Sequence, residues 1–301
     1  LLLSLRGRNY NFLGGMEKLE VNLDYVRSDI DEKNEYSLNS AFKYPFYWVG
    51  YEWMFDFEED VTIKRDEPTY FYTLAGLSVD IPTDWLTWQA SVDQEYYLNE
   101  DGKDDPDDWY MNTAGRFGSS FSLGFDLPGF GELFYGPALI SSVAYKPGGS
   151  ISEDRRGLEL GGAHGLSAGR IDWKGNFRSG TEFSAGQDIR WNFERERWLS
   201  DFESEVQVHE EFGFMGFSSR LSGFYRYGGE KDNAGKEIRG ILDDRISGNG
   251  AVYANFDFPF KMWIWFMDRW FEGHLSPFFD YALAHPLHGE MKLSEGWYGA
   301  G

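Results

Sequence analysis

The sequence predicts an all-β protein, an antiparallel transmembrane β-barrel, and three observations support this fold class. Apolar and polar residues alternate along short segments throughout the chain. Aromatic residues make up 19% of the 301 residues, more than a soluble core needs, and they suit two membrane–water interfaces. Glycine occurs 36 times, which suits bends and close contacts between strands.

The alternation gives each predicted strand two faces of opposite character, because successive side chains of a strand point to opposite sides. In the segment 16–27 one face carries apolar side chains, namely Leu19, Val21, Leu23 and Tyr25. The interleaved positions are mostly polar, namely Glu20, Asn22 and Asp24. Most segments pair bulky rings with charges in this way. The pattern favours a barrel with rings toward lipid and charges toward a wet lumen over a soluble propeller or jelly roll.

The pattern predicts about 14 strands and the beginning of one more, each long enough for a tilted membrane strand. Short turns, such as Pro45-Phe46 and 126–129, alternate with long polar loops. No second domain is evident, so residues 1–301 are interpreted as a single barrel domain. The predicted strands are 16–27, 35–44, 47–58, 68–80, 85–97, 109–125, 132–145, 156–164, 169–178, 182–194, 199–210, 212–228, 250–260, 274–284 and the fragment 296–301.

The composition argues against several classes of function. The chain has no cysteine, which excludes a disulfide scaffold and a thiolate metal site. Its formal net charge of -22 argues against nucleic acid as a partner. No segment approaches the roughly 18 apolar residues of a membrane-spanning helix. No cofactor is expected.

An aromatic segment at 261–272, KMWIWFMDRWFE, has two interpretations. It is either a short helix lying in the membrane interface or a wide aromatic turn at the barrel rim. In the first case its rings lie at headgroup level, namely Trp263, Trp265, Phe266 and Trp270.

One serine motif raises the possibility of an enzyme. Residues 165–169 match G-x-S-x-G, but a nucleophile elbow needs a strand-to-helix turn, and none is predicted here. The favoured interpretation is a glycine-rich hairpin turn. A lipolytic barrel that uses Ser167 with the nearby His164 is kept as an alternative, although neighbours in sequence do not make a triad.

Two segments contain side chains that can bind metal ions. The acidic stretch 99–108 lacks the residue order of a dedicated calcium loop, and a solvated surface loop is favoured. His285 and His288 flank Pro286 in a predicted loop, and the same interpretation applies to them. No metal site is therefore expected.

A long polar loop at 228–249 carries the most specific motif of the chain. It contains Ile238, Arg239, Gly240 and Ile241, and Gly-Asn-Gly at 248–250 opens the strand that follows. The next strand contains Phe278-Phe279-Asp280. This series resembles the barrels of the BamA/TamA-like outer-membrane assembly proteins, also called the bacterial surface antigen family.

The resemblance implies a loop that folds back into the barrel lumen. In the family, the arginine of a V-R-G-F/Y motif at the loop tip contacts the aspartate of an F-x-D motif on a nearby strand. Arg239 and Gly240 match the core of the first motif, and Phe278 and Asp280 match the second. An arginine in a lumen needs an acceptor, and a bidentate pair with a carboxylate supplies one. Ile241 stands where the family usually has an aromatic residue.

The resemblance also implies a function at the bacterial outer membrane, with no enzymatic chemistry. Proteins of the family insert, assemble or translocate other proteins, and client strands pair at a weak seam between the first and last barrel strands. Segment 16–27 would form the first half of that seam. The implied partners are outer-membrane lipid, unfolded outer-membrane protein clients and, where present, periplasmic POTRA modules and accessory lipoproteins. A passive pore or membrane anchor is the alternative.

The family pattern further suggests that the sequence is part of a longer chain. POTRA modules usually precede such barrels, and two more strands usually follow the one that contains the F-x-D motif. We therefore expect most of a sixteen-stranded barrel with its closing strands missing. The mass of the native mature protein tests this expectation, and an end at Gly301 would refute it.

Overall fold

In the computed structural model, the described residues form strands almost throughout. The structure describes residues 2–11, 14, 16–27, 34–64, 68–99, 108–152, 155–174, 176–229, 234–239, 248–266, 269–285 and 296–301. Fifteen of the strands in these ranges form one sheet in chain order, except that the fourteenth and fifteenth strands form a separate two-stranded sheet and the thirteenth strand pairs with the sixteenth. This is the fold of an antiparallel β-barrel, which confirms the predicted fold class.

The strands are numbered in chain order, and a short 3-10 helix, Ala234–Glu237, lies between β12 and β13. The bounds are β1 Leu2–Tyr10, β2 Lys18–Arg27, β3 Asn34–Trp48, β4 Tyr51–Lys64, β5 Tyr70–Pro82, β6 Thr87–Leu98, β7 Trp109–Leu127, β8 Gly131–Tyr145, β9 Gly157–Lys174, β10 Phe177–Asn192, β11 Arg197–Glu211, β12 Gly216–Tyr227, β13 Gly250–Asp257, β14 Phe260–Phe266, β15 Arg269–Leu275, β16 Phe278–His285 and β17 Trp297–Ala300. No helix in the described ranges is long and apolar enough to cross a membrane.

The chain divides into two compact units. Unit 1 comprises Leu1–Ser119, Ala138–Gly161 and Asn192–Glu196, and unit 2 comprises Ser120–Pro137, Gly162–Trp191 and Arg197–Gly301. Strands β1 to β6 therefore lie entirely in unit 1, and strands β11 to β17 lie entirely in unit 2.

In unit 1 the register of the strands produces the two predicted faces. One row across β3 to β6 contains Lys43, Asp56, Gly76 and Asp93. The adjacent row, on the opposite face, contains Phe42, Phe57 and Ala75. Exposed rings on one face and ionised groups on the other are the arrangement of a membrane barrel. Large apolar side chains of the second face are exposed, among them Tyr36, Tyr44, Phe57 and Leu77.

The sheet begins with a strand that the sequence did not predict. β1 pairs with β2 over nine residue pairs, from Leu2 with Val26 to Tyr10 with Lys18. β2 also pairs with β3, so both of its edges are occupied. The assignment of 16–27 as the first strand of the seam is therefore wrong. The beginning of β1 is a run of leucines without strict alternation, so the period-two signal is weak there.

The turn predicted at 165–169 is also wrong, because β9 runs unbroken through it. The glycines of this region serve close contact between strands instead. Gly169 and Gly180 have φ values of 100° and 128°. A Cβ on Gly169 would overlap the carbonyl oxygen of Thr181, and one on Gly180 would overlap that of Arg170. Only glycine allows the backbones of β9 and β10 to approach in this way.

The turn predicted at Pro45-Phe46 lies a few residues further along the chain. Pro45 is inside β3, opposite Met54, and the chain reverses at Val49 and Gly50, whose φ values are 53° and 82°. Proline removes only its own N–H from the ladder, so the strand continues past it.

The aromatic segment 261–272 is neither of the two predicted forms. It lies within a hairpin of β14 and β15, from Phe260 opposite Leu275 to Phe266 opposite Arg269. The backbone N–H of Lys261 donates to the carbonyl of Phe214 at 2.9 Å, so the hairpin contacts the turn between β11 and β12. The run of aromatic residues in this segment has high β propensity, which favours strand over helix.

Candidate functional site

The candidate site is one face of four neighbouring strands in unit 2, here called the inner wall. Its central row crosses β12, β13, β16 and β17 through Arg220, Asn255, Asp280 and Gly299. Side chains two residues apart in a strand share a face, so the next row but one projects the same way. That second row contains Ser222, Tyr253, Ala282 and Trp297.

Residues 234–239, here called the loop segment, cover the inner wall. Ala234 and Ile238 pack with Ala251, Tyr253 and Ala282 in a buried cluster. Ile238 is only 2% exposed. Burial of these apolar groups favours the seated position of the segment by removing their surface from water.

Two hydrogen bonds from the wall hold the backbone of the loop segment. The Tyr253 hydroxyl donates to the carbonyl of Ala234 at 2.6 Å, and Asn255 Nδ2 donates to the carbonyl of Glu237 at 2.8 Å. Within the segment, the N–H of Ile238 donates to the carbonyl of Gly235 at 3.0 Å, which continues the 3-10 turn. The segment therefore has a defined backbone conformation on the wall.

Arg239 makes a bidentate pair with Asp280, as the motif resemblance implies. Its Nε donates to Oδ2 at 2.8 Å and its Nη2 donates to Oδ1 at 2.6 Å. The backbone N–H of Arg239 donates to the same Oδ2 at 2.9 Å. Two parallel bonds between a guanidinium and a carboxylate fix direction as well as distance. The structure thus brings Arg239 and Asp280 together, while their role in function stays a prediction.

Two further residues complete the surroundings of the Arg239 guanidinium. Nη1 donates to Asp257 Oδ1 at 2.5 Å, and Cζ lies 4.0 Å from the centre of the Phe278 ring. Hydrogen bonds to Asp280, together with those to Asp257, hold the pKa of Arg239 above its usual range despite its partial burial. The guanidinium stays charged, and its charge is matched by the carboxylates and by the ring face.

Asp280 has no solvent-exposed surface, which makes this pair costly to disrupt. A buried carboxylate loses its hydration, and that cost is offset only when partners supply hydrogen bonds and opposite charge. Arg239 supplies three such bonds from its side chain and backbone. Departure of the loop segment from the wall would therefore remove the compensation that this carboxylate receives.

Gly299 gives the loop segment room to approach β17. A Cβ added at this position would overlap the carbonyl oxygen of Arg239 and would come within 3.4 Å of Ile238 Cγ2. Gly299 lies opposite Asp280 in the register. The absence of a side chain here lets the backbone of Arg239 lie directly against the strand.

The opposite face of the same strands has a different character. It carries exposed apolar side chains, namely Leu221, Val252, Phe279 and Tyr298. These residues alternate with the inner-wall residues along each strand. Most of the residues that face the loop segment are small or polar, and large apolar residues face away. This is the polarity of a strand between a lumen and lipid.

The remaining residues of the predicted sets lie in several places. Gly240 and Ile241 are outside the described residues. Trp263 of β14 is exposed, and Trp265, Phe266 and Trp270 belong to the β14–β15 hairpin. Their assignment to the membrane interface stays a prediction. The predicted seam residues share the apolar face of β2, which is an interior strand of the sheet, and they are Leu19, Val21, Leu23 and Tyr25.

The geometry of β9 does not support a Ser167–His164 pair. The two residues are three positions apart in one continuous strand, so their side chains project to opposite faces. The acidic stretch at 100–107 and His288 lie outside the described residues. His285 Nδ1 lies 2.8 Å from Asn249 Oδ1. Within the described ranges, no group of three or more ligating side chains is placed to hold a metal ion.

Several residues of the site were not predicted from the sequence, namely Arg220, Glu237, Tyr253, Asn255, Asp257 and Gly299. Glu237 lies directly before the motif, and the sequence does not distinguish it from an ordinary solvated charge in a loop. Gly299 lies among several glycines near residue 301. Only the register of the four strands, together with the path of the loop segment, shows that these residues meet.

Comparison with known proteins supports the fold. The chain is similar to the solved structure of CdiB from Acinetobacter baumannii, with a TM-score of 0.51 and 9% sequence identity. The likeness covers 99% of this chain and 55% of the CdiB chain, so this chain spans about half the length of that protein. No protein-family model matches the sequence, and no curated protein matches it either. At this level of identity the likeness to CdiB shows a shared β-barrel fold and nothing further.

Proposed function

We propose that this chain is the barrel of an Omp85-like protein translocator in the bacterial outer membrane, and more specifically that it inserts or assembles client proteins in the manner of the BamA/TamA-like family. The observation that carries the proposal is the loop segment held on the inner wall by Arg239 and Asp280. The barrel fold shared with CdiB supports the coarser statement.

The physical basis of the proposed activity is strand pairing in lipid. A client strand that enters the membrane needs partners for its backbone N–H and C=O groups, which lipid cannot provide. An exposed strand edge of a barrel supplies them. Both edges of β2 are occupied, so clients are not proposed to pair with that strand. The proposed role of the loop segment is to stiffen the wall formed by β12, β13, β16 and β17.

A passive pore or anchor would have the same strands but would not need the seated loop for activity. Arg239→Ala in the full-length protein, expressed in its own host, separates the two. We expect loss of complementation in cells depleted of the native protein, because the Asp280 carboxylate is left buried without its cation. Arg170→Ala is the matched control, since Arg170 is a highly exposed residue that pairs with Asp172.

Heat-modifiable gel mobility reports on the barrel itself in the same samples. We expect the folded band of Arg239→Ala to persist but to convert at a lower temperature than that of Arg170→Ala. Unchanged complementation together with unchanged mobility would refute the assembly function.

Gly299→Ala tests the seating of the loop without removing a charge. The added Cβ would overlap the carbonyl oxygen of Arg239, so the loop segment must move away from β17. We expect reduced complementation. Gly186→Ala is the control, because a Cβ there would meet its nearest neighbour, the His164 carbonyl oxygen, at an ordinary 3.7 Å. Equal activity of the two variants would show that close approach to β17 is not needed.

A further inference from the structure

We infer that Arg220 and Glu237 form a second ionic clamp, opposite in polarity to the Arg239–Asp280 pair, which fixes the orientation of the loop segment on the inner wall. Here the loop supplies the anion and the wall supplies the cation. Both residues act as positioning residues, and their importance for assembly rests on the proposed function.

The geometry of Arg220 places it between a strand and the loop. Its Nε donates to Glu205 Oε2 of β11 at 2.6 Å, and its Nη1 donates to Glu237 Oε2 of the loop segment. All three side chains are partly buried, between 26% and 38% exposed. Arg220 therefore connects the loop segment to two neighbouring strands through charge-assisted hydrogen bonds, which are stronger than neutral ones.

The two clamps lie on opposite sides of a common central residue. Asn255 of β13 holds the carbonyl of Glu237. From that point the Glu237 side chain reaches Arg220 on β12, while Arg239 reaches Asp280 on β16. The register places Asn255 between Arg220 and Asp280 in the same row. The segment is thus attached at two points that are separated across the wall.

Two attachment points restrict the rotation of the loop segment on the wall more than one attachment point does. A segment held only by Arg239 could pivot about that residue. With Glu237 also held, a reversed or shifted segment would bring Glu237 toward Asp257 and Asp280, and Arg239 toward Arg220. Like charges placed side by side in this way repel each other, which disfavours the reversed and the shifted positions of the segment. The opposite signs of the two clamps therefore select one orientation of the loop segment.

The chain itself allows a direct labelling experiment, because it has no cysteine. Ala234→Cys places a single thiol in the loop segment at a position that is 1% exposed. In the full-length protein in outer membranes, with every cysteine outside residues 1–301 replaced by serine, the rate of labelling by a water-soluble maleimide then reports how often the segment leaves the wall. This rate is measured in the Ala234→Cys background, alone and with Arg220→Glu, Glu237→Arg, both exchanges together, and Glu237→Gln.

We expect each charge reversal to raise the labelling rate about tenfold, because it both removes the charge-assisted hydrogen bond and sets two like charges against each other at positions 220 and 237. The double exchange restores an attractive pair between positions 220 and 237 but also sets two carboxylates together at positions 205 and 220, so the rate should fall below that of either single reversal and stay above that of the parent. Glu237→Gln, which keeps the shape of the side chain, should raise the rate by a smaller factor. Asp201→Asn is the control, since Asp201 pairs with Arg190 and Arg226 on strands of the same unit.

The inference is overturned if the reversals label at the parental rate, or if the double exchange labels as fast as either single one. Should a reversal prevent folding, an unchanged rate in Glu237→Gln overturns it as well. If the labelling rate changes among the charge variants as expected, but Arg239→Ala leaves assembly unaffected, the clamp is retained and the assembly function is rejected. If the charge variants leave the labelling rate unchanged, but Arg239→Ala abolishes assembly, the clamp alone is rejected.

Discussion

The inner wall of unit 2 and the polar face of unit 1 use the same type of ion pair under different conditions. In unit 1, Lys43 Nζ lies 3.3 Å from Asp56 Oδ1, and the two side chains remain 45% and 22% exposed. In unit 2, Asp280 is fully buried beneath the loop segment and receives three hydrogen bonds from Arg239. The strand pairing is antiparallel in both places, so the difference comes from the segment that covers the wall.

This difference determines how much stability is lost when one partner of the pair is removed. An exposed pair gains little, because water screens it and solvates each partner alone. A covered pair depends on both partners, because removal of one leaves the other without compensation for its lost hydration. The burial of an ion pair, and not the number of ion pairs on a face, therefore indicates how much stability is lost when one charged partner is removed.

The largest expected effect is that of Asp280→Ala measured against Asp56→Ala. We expect Asp280→Ala to lower the free energy of unfolding by about 3 kcal/mol, at the low end for a buried pair because Arg239 keeps some contact with water. We expect Asp56→Ala to cost less than about 1 kcal/mol. Urea unfolding in lipid bilayers measures both. Equal losses would contradict the distinction between covered and exposed pairs.

A second variant tests whether the face opposite the loop segment meets lipid. Leu221 lies near the middle of β12 and is 53% exposed. Leu221→Arg should lower the free energy of unfolding by about 2 kcal/mol, because a charged side chain facing lipid is unfavourable at depth. Leu221→Met keeps an apolar side chain and should be close to neutral. If the arginine variant were as stable as the methionine variant, the lipid-facing assignment of this face would fail.

The smallest effect that sharpens the comparison is that of Tyr253→Phe. The variant removes the hydrogen bond to the carbonyl of Ala234 but keeps the ring in the buried cluster. We expect a loss of about 1 kcal/mol in the free energy of unfolding. Tyr225→Phe, on the exposed opposite face, serves as the control and should have little effect. Identical values for the two would mean that the hydroxyl does not help to seat the loop.

The fold class could be predicted from the sequence because its main signal is local. A strand places successive side chains on opposite faces, so alternation within 16–27 identifies both the strand and its two faces without any knowledge of its neighbours. The same locality explains two errors. The leucine run in β1 hides its alternation, and Gly165 and Gly169 suggest a turn although they lie inside β9.

The site was predictable only in part. The motifs around Arg239 and Asp280 suggested their pairing by resemblance, and the structure places the two side chains in contact. Neither Arg220 nor Gly299 belongs to those motifs. Each meets the loop segment because of its position in the row that contains Asn255 and Asp280.

By itself, the sequence determined the period-two pattern, the apolar and polar faces of the strands and the charges that the polar loop carries. The tertiary structure alone decided which strands are neighbours, where β9 continues and which charges meet beneath the loop segment. The physical reason is register: a shift of one residue between two strands moves every side chain to the other face. Partners such as Arg220 and Glu237 are therefore specified by the pairing of whole strands and by the path of the loop, which no short stretch of sequence contains.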